Sequence, residues 1–160
     1  MSILEKMGRP ARTGHLRAPA DGARGPGAGA AAAITDTLRR YEMALNARDT
    51  EAVMELYADD GVFMPQHFPS AVGAAQVRAA YDGVFATIRL SVAFDIVEAV
   101  PVAEDWAFAR TNSTGTVTVL ATGESGPEAN QELFVMQRIE GAWKIARYAF
   151  CTTNPPRGAA

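Results

Sequence analysis

The spacing of apolar residues changes near residue 88, and this change constrains the fold more than any other feature of the sequence. Before it, apolar residues recur at helical spacing. After it, Leu90, Val92, Phe94 and Ile96 alternate with polar or small residues, as in a strand with one buried face. Helices followed by strands in a chain of 160 residues predict an α+β fold with the helices on one face of an antiparallel sheet.

Three helices are predicted in the first half of the chain. The first begins at Ile34, where an apolar stripe with helical spacing starts. The second follows Asp49, a suitable N-cap, and ends at the sequence ADDG. The third covers about residues 74 to 87. Long strands and a final hairpin are expected after them.

The final hairpin, NQELFVMQRIEGAWKIARYAFCT, predicts two strands that turn at Glu140 and Gly141. Regular alternation places two mostly apolar sets of side chains on opposite faces. One face includes Gln131, Leu133, Val135, Tyr148 and Phe150, and the other includes Phe134, Met136, Trp143 and Ile145. Because water suits neither face, we expect helices or a cavity to cover one of them and a second subunit to cover the other.

The charge of the chain is divided unevenly along its length. Residues 1–33 hold five Lys or Arg and two Asp or Glu, a charge of +3, so the remaining ten basic and 16 acidic residues give −6. An acidic folded part argues against nucleic acid as the main partner. The first 33 residues are rich in Gly, Ala, Pro and Arg without helical or strand periodicity, so we expect disorder there, a folded domain at 34–155 and a short tail at 156–160.

The sequence contains neither a run of about 18 apolar residues nor the apolar core of a secretory signal. We therefore expect no membrane association and a cytoplasmic location. Its two histidines, His15 and His67, and its single cysteine form no metal-ligand motif, and no Gly-rich loop indicates a nucleotide cofactor. Glu132 and Arg147 are expected to form a cross-strand ion pair, with a buried acid–base role of Glu132 as the alternative.

Three segments together resemble the nuclear transport factor 2-like superfamily: RRYEMALNARDTEAVMELYADDGVF, VRAAYDGVF and LFVMQRIEGAWKIARYAFCTTNP. Within it, residues 34–155 are most similar to SnoaL-like proteins of the SgcJ/EcaC subgroup. The resemblance implies a cone-shaped fold in which three N-terminal helices and a strongly curved antiparallel sheet enclose a mostly apolar pocket. By this resemblance, the hairpin face with Gln131 lines the pocket, and the face with Phe134 meets a twin subunit in a homodimer.

The resemblance also identifies functional positions. At several of them, this chain lacks the acidic residue that related enzymes carry. In related steroid isomerases, a tyrosine of the first helix, an aspartate base and a strand acid act on an enolate. Tyr41 matches the tyrosine, whereas Met64 or Pro65 and Val135 stand where the two acids are expected. Phe150 stands near the catalytic aspartate of SnoaL-type cyclases. Neither of these two mechanisms is therefore expected in its usual form.

The remaining candidates are polar groups that could exchange a proton and apolar groups that could hold a ligand. The candidate catalytic residues are Tyr41, Tyr148 and His67, and the candidate substrate-binding residues are Gln131, Leu133, Val135, Phe150 and Met64. Each tyrosine has a packing role as its alternative, and His67 has that of an ordinary surface residue.

The fold that this resemblance implies hosts isomerases, dehydratases, cyclases and binding proteins, so it does not by itself select an activity. We expect a hydrophobic small molecule as ligand, namely a polyketide intermediate of the enediyne type, with a polyketide synthase as a further partner. The first hypothesis is an isomerase, dehydratase or cyclase that acts on this intermediate. The alternative is a non-catalytic protein that binds the intermediate or assists the synthase.

Overall fold

Three helices and a six-stranded sheet make up residues 26–156, the part of the chain that this computed structural model describes. The elements are α1 Pro26–Ala47, α2 Thr50–Leu56, β1 Tyr57–Met64, β2 Ala71–Val72, α3 Ala74–Thr87, β3 Ile88–Pro101, β4 Trp106–Val119, β5 Ser125–Ile139 and β6 Ala142–Thr152. The predicted α+β class is confirmed. None of the helices in this part of the chain is long and apolar enough to cross a membrane.

Helix α1 begins at Pro26 rather than at Ile34, so the expectation of disorder is wrong for residues 26–33. Proline suits a first helical position because it has no N–H to leave unpaired there, and the alanines that follow have the highest helix propensity. An alanine run carries no apolar stripe, which is why periodicity missed it. The expectations for residues 1–25 and 157–160 lie outside the described residues.

Local signals place the other two helices close to their predicted positions. The Asp49 side chain accepts a hydrogen bond from the backbone N–H of Ala52 at 3.0 Å, which confirms it as the N-cap of α2. Gly73 precedes α3 with a φ of 80°, a conformation that suits glycine. Helix α2 ends at Leu56 and leads directly into β1, so ADDG lies in a strand rather than at the end of a helix.

The strands are arranged in the order β2-β1-β6-β5-β4-β3. All neighbours are antiparallel except β1 and β6, which run parallel. The prediction of a wholly antiparallel sheet is therefore wrong at this pair. Parallel neighbours need a long connection between them, and here most of the domain, from β2 to β5, forms that connection.

A β-bulge in β6 changes which side chains of the hairpin share a face. Met136 lies opposite Ile145, but its neighbour Val135 lies opposite Arg147, so Ala146 is an extra residue with no partner on β5. The side chains that follow the bulge therefore point to the face opposite to the one that regular alternation predicts.

Because of the bulge, most of the large apolar side chains of the hairpin lie on one face. Its buried members are Phe134, Met136, Trp143, Ile145 and Tyr148. We call this side, which packs against the helices, the chamber face, and the opposite side the outer face. The first four of these residues were the predicted dimer surface, and that prediction is wrong because they lie in the core.

Candidate functional site

A chamber of about 530 Å³ lies between the helices and the chamber face of the sheet. Its wall is mostly apolar, and its volume falls within the range of roughly 300–1,000 Å³ that is typical of small-molecule sites. Phe68, from the loop between β1 and β2, and Thr87, at the end of α3, line it and are exposed. They mark the side on which the chamber meets solvent.

Three aromatic rings form one continuous wall of the chamber. The ring centroids of Phe63 and Tyr148 are 5.5 Å apart with 7° between the planes, and Phe150 stacks next to Tyr148 at 5.9 Å. Phe63 and Tyr148 are partners in the parallel pairing of β1 with β6, which explains their alignment. Such a wall suits a flat apolar ligand.

A row of three buried phenols lies beside this wall. The hydroxyl of Tyr81 is 2.6 Å from that of Tyr41 and 2.8 Å from that of Tyr57. Burial raises the pKa of all three phenols, so they stay protonated at neutral pH. Three hydroxyl protons and two hydrogen bonds leave one proton that the row itself does not use. This proton reaches the chamber when Tyr41 or Tyr81 carries it, because these two line the chamber and Tyr57 does not.

A carboxyl group stands in the same chamber. Glu132 is 5% exposed and accepts hydrogen bonds from the hydroxyls of Thr111, at 2.5 Å, and of Ser113. Burial raises the pKa of Glu132, against the lowering effect of the two hydroxyls, and the nearby Glu128 raises it further. Glu132 is therefore a stronger proton acceptor than an exposed glutamate.

A second carboxyl, that of Glu128, is connected to the first through side chains. The Nδ2 of Asn130 donates to Glu128 Oε1 at 2.7 Å and to the Oγ of Ser113 at 3.4 Å, and Ser113 in turn donates to Glu132. Glu128, Asn130, Ser113 and Glu132 all line the chamber. We call these four residues the polar row.

The structure brings three of the predicted site residues together. Tyr41, Tyr148 and Phe150 all line the chamber. Burial raises the pKa of the Tyr148 phenol, and the charge of Glu132 adds to the shift. Tyr148 is two positions along β6 from Phe150, the partner of Glu132 on β5, and both Tyr148 and Glu132 line the chamber. A phenol and a carboxyl therefore lie on the same wall of the cavity.

The other predicted site residues do not reach the chamber. Gln131, Leu133 and Val135 lie on the outer face, as does Met64, so the predicted face of β5 is inverted. His67 is exposed, with a φ of 69°, and its Nε2 lies 2.7 Å from the side-chain nitrogen of Gln66.

The expected Glu132–Arg147 ion pair is wrong. Arg147 lies on the outer face, where its guanidinium donates to the carbonyl oxygens of Asp60, at 3.3 Å, and Ala146, at 2.6 Å. One signal could have identified Glu132: it alternates with Phe134 and Met136, so it shares a face with two core residues. Tyr57 and Tyr81 were also not predicted as members of a hydroxyl row. Residues 26–156 contain no group of three or more His, Cys, Asp or Glu that could hold a metal ion.

Three helices on one face of a six-stranded mixed sheet, with a chamber between them, make up an α+β protein with the cystatin-like, nuclear transport factor 2-like fold. The chain belongs to the SnoaL-like domain family, whose model matches residues 38–148. No curated protein matches it.

Solved structures agree with this assignment. A ketosteroid isomerase-like protein from Erwinia carotovora atroseptica is 39% identical, with 78% of this chain and 96% of that chain covered and a TM-score of 0.75. Two proteins from Novosphingobium aromaticivorans show the fold alone. One, NTF2-like with a cystatin-like fold, has 24% identity, coverage of 80% and 84%, and a TM-score of 0.60. The other, proposed to be a scytalone dehydratase, has 20% identity, coverage of 81% and 93%, and a TM-score of 0.69.

Proposed function

We propose that this protein binds a hydrophobic small molecule in the chamber and moves a proton on it, as an isomerase, dehydratase or cyclase does. The observation that supports this most strongly is the Glu132 carboxyl, which is buried in an apolar cavity with hydroxyl donors on both oxygens. The cone-shaped enclosure implied by the resemblance would keep water from this group.

The side chains suit a reaction on a carbon next to a carbonyl group. Glu132 takes the proton as the C–H bond breaks, and the electron pair moves onto the carbonyl oxygen. A phenol of Tyr41 or Tyr148 donates a hydrogen bond to that oxygen and stabilises its charge. Return of the proton to a different carbon gives an isomer, and its transfer to a departing hydroxyl gives water and an alkene.

For the ligand we propose a polyketide intermediate of the enediyne type, on the basis of the sequence resemblance alone. Contact with a polyketide synthase and a cytoplasmic location are proposals on the same basis. The second candidate function is non-catalytic binding of the same ligand, and it is favoured by Phe150, which lines the chamber near the position where SnoaL-type cyclases carry an acid.

Hydrogen–deuterium exchange on 2-tetralone, an apolar ketone with an acidic C–H bond, tests the catalytic proposal without knowledge of the natural substrate. The wild type in D₂O is expected to accelerate deuterium uptake at the carbon next to the carbonyl, as followed by NMR. Glu132→Gln should reduce the protein-dependent rate by about a hundredfold or more. Glu124→Gln, the same change at an exposed residue outside the chamber, should leave the rate unchanged.

The same measurement separates the two candidate functions. Saturable binding of 2-tetralone without acceleration by the wild type would support the binding protein. Acceleration that survives Glu132→Gln would show that another group is the base.

We further propose that the protein is a homodimer through the outer face. Exposed apolar side chains occur there, with Leu133 48%, Trp106 37% and Met64 37% exposed. Leu133 and Met64 flank Ala149 on the central strand β6, so they form a continuous patch. A patch of this kind is typical of an interaction surface.

A further inference from the structure

Apart from the tyrosines, the ionisable side chains that line the chamber are all carboxyls, so they carry negative charge. Among the described residues, the lining contains two carboxyls, Glu128 and Glu132, and no lysine, arginine or histidine. The rest of the lining is aromatic, aliphatic or uncharged polar. A ligand inside the chamber therefore meets negative charge with no basic side chain at the wall to offset it.

Two arginines outside the lining make contacts of their own. The guanidinium of Arg48 donates to the backbone carbonyl of Phe85 through its Nε at 2.9 Å. Arg110, on the outer face, pairs with Glu98 at 2.5 Å. Neither side chain is available to an anionic group of a bound ligand without the loss of these contacts.

Hydrogen bonds within the polar row hold the Glu128 carboxylate in place. Asn130 is oriented by its surroundings, because its Nδ2 meets two acceptors, Glu128 Oε1 and Ser113 Oγ, and a rotated amide would place its oxygen against them. Ser113 accepts from Asn130 and so must direct its own proton to Glu132. Glu128 is half-buried, whereas Glu132 is buried. Glu128 is thus the more solvent-exposed of the two carboxyls.

We infer that the chamber discriminates against anionic ligands and that Glu128 sets this discrimination. The substrate class is then an apolar molecule without an ionised acid group, and a carboxylic acid would enter only as an ester, amide or lactone. This inference rests on the proposed function, because it concerns the ligand of the same chamber. It holds whether that ligand is converted or only bound.

Calorimetric titration at pH 7.5 with two probes of the same shape tests it. The probes are 2-acetonaphthone, an uncharged ketone, and 2-naphthoate, its carboxylate counterpart. A unit charge about 10 Å away, at an effective dielectric constant of about 20, changes an affinity by roughly tenfold. The wild type should therefore bind the ketone at least about tenfold more tightly than the carboxylate. Glu128→Gln should reduce the ratio of the two affinities by roughly tenfold, through tighter binding of the carboxylate.

Glu124→Gln is the matched control, since it removes the same charge four positions earlier on the chain and outside the chamber. It should leave the ratio of the two affinities as in the wild type. Equal binding of both probes by the wild type would overturn the inference, as would failure to bind the ketone at all. An unchanged ratio in Glu128→Gln would overturn the role of Glu128. None of these outcomes depends on turnover, so the inference can fail while the proton-transfer proposal stands, and the reverse.

Discussion

The ring of Phe63 lies parallel to the ring of Tyr148, with 5.5 Å between their centroids. The two residues belong to strands at opposite ends of the sheet region in sequence, and only the parallel pairing of β1 with β6 brings them together. Tyr148 also shares the chamber face with Glu132 on the neighbouring strand, and the charge of Glu132 contributes to the raised pKa of Tyr148. The apolar wall and the acid–base group are thus parts of one surface.

The hydroxyls of Thr111 and Ser113 are expected to control the pKa of Glu132. Both lower it by donating hydrogen bonds to the carboxylate. Ser113→Ala and Thr111→Val should each raise the pKa further, because burial then acts with less opposition. Carbon-13 NMR titration of the carboxyl measures the shift. Thr114→Val, on the exposed side of the same strand, should cause none.

Stability should depend on pH through the same carboxyl. Burial raises the pKa of Glu132 in the folded state, so the folded protein binds this proton more tightly than the unfolded chain does. The free energy of unfolding of the wild type, compared with that of Glu132→Gln, should fall as pH rises from about 4.3, the ordinary glutamate value, through the folded pKa. Urea unfolding at several pH values measures the difference. A difference that grows with pH in favour of the wild type would contradict the assignment.

In the row of three buried phenols, the central residue, Tyr81, should contribute more to stability than Tyr41 or Tyr57 at its ends. Tyr81→Phe removes both hydrogen bonds and leaves two buried hydroxyls without this partner, which costs about 1–3 kcal/mol for an unsatisfied group. Tyr41→Phe removes one bond and leaves Tyr81 bonded to Tyr57, so its cost should be smaller. Denaturant unfolding of both variants gives the comparison, and equal costs would show that the row does not act as a unit.

Tyr41→Phe should affect exchange more than binding. If its phenol stabilises the developing oxyanion on 2-tetralone, the variant should lose about a hundredfold in exchange rate with little change in Kd. Tyr148→Phe is the companion variant, since its phenol reaches the same chamber. Parallel, small losses in affinity for both variants would assign the tyrosines to binding. No effect on rate or affinity would leave them as packing residues.

The outer face should determine the oligomeric state. Leu133→Glu places a charge in the proposed dimer patch, where the side chain is 48% exposed, so the fold should survive while the dimer weakens. Light scattering at micromolar concentration measures the mass of the particle. Trp143→Glu is the contrast, because Trp143 is buried in the core and its replacement should unfold the protein. A monomeric wild type would contradict the proposed interface.

Much of the fold could be predicted from periodicity and capping. The N-cap at Asp49, the third helix, the alternation after residue 88 and the turn at Glu140 and Gly141 all follow from local chemistry, and all are observed. The start of α1 was missed because alanines fit a helix without marking one face of it. Local patterns also contain nothing about the pairing of β1 with β6, which joins distant parts of the chain.

The candidate site could be predicted only in part. Tyr41 and Tyr148 were identified, the latter through a register that was wrong by one position. Leu133 and Val135 were placed in the pocket, and Glu132 outside it, because alternation was extended from the turn through Ala146 without a bulge. A bulge depends on how the strand fits its neighbours and leaves no fixed sequence mark. The most informative carboxyl of the chamber was therefore assigned to the wrong side.

Because Ala146 is an extra residue in β6, the alternation of side chains is inverted between the two halves of this strand. Before it, odd-numbered Trp143 and Ile145 point inward, and the carbonyl oxygen of Trp143 accepts a hydrogen bond from Thr37 of α1 at 3.2 Å. After it, even-numbered Tyr148 and Phe150 point inward and form the wall of the chamber. In a strand without the bulge, these two pairs of side chains would point to opposite faces, so only one pair could face the helices and the cavity. Loss of one residue here would turn the aromatic wall towards solvent while leaving the composition of the protein almost unaltered.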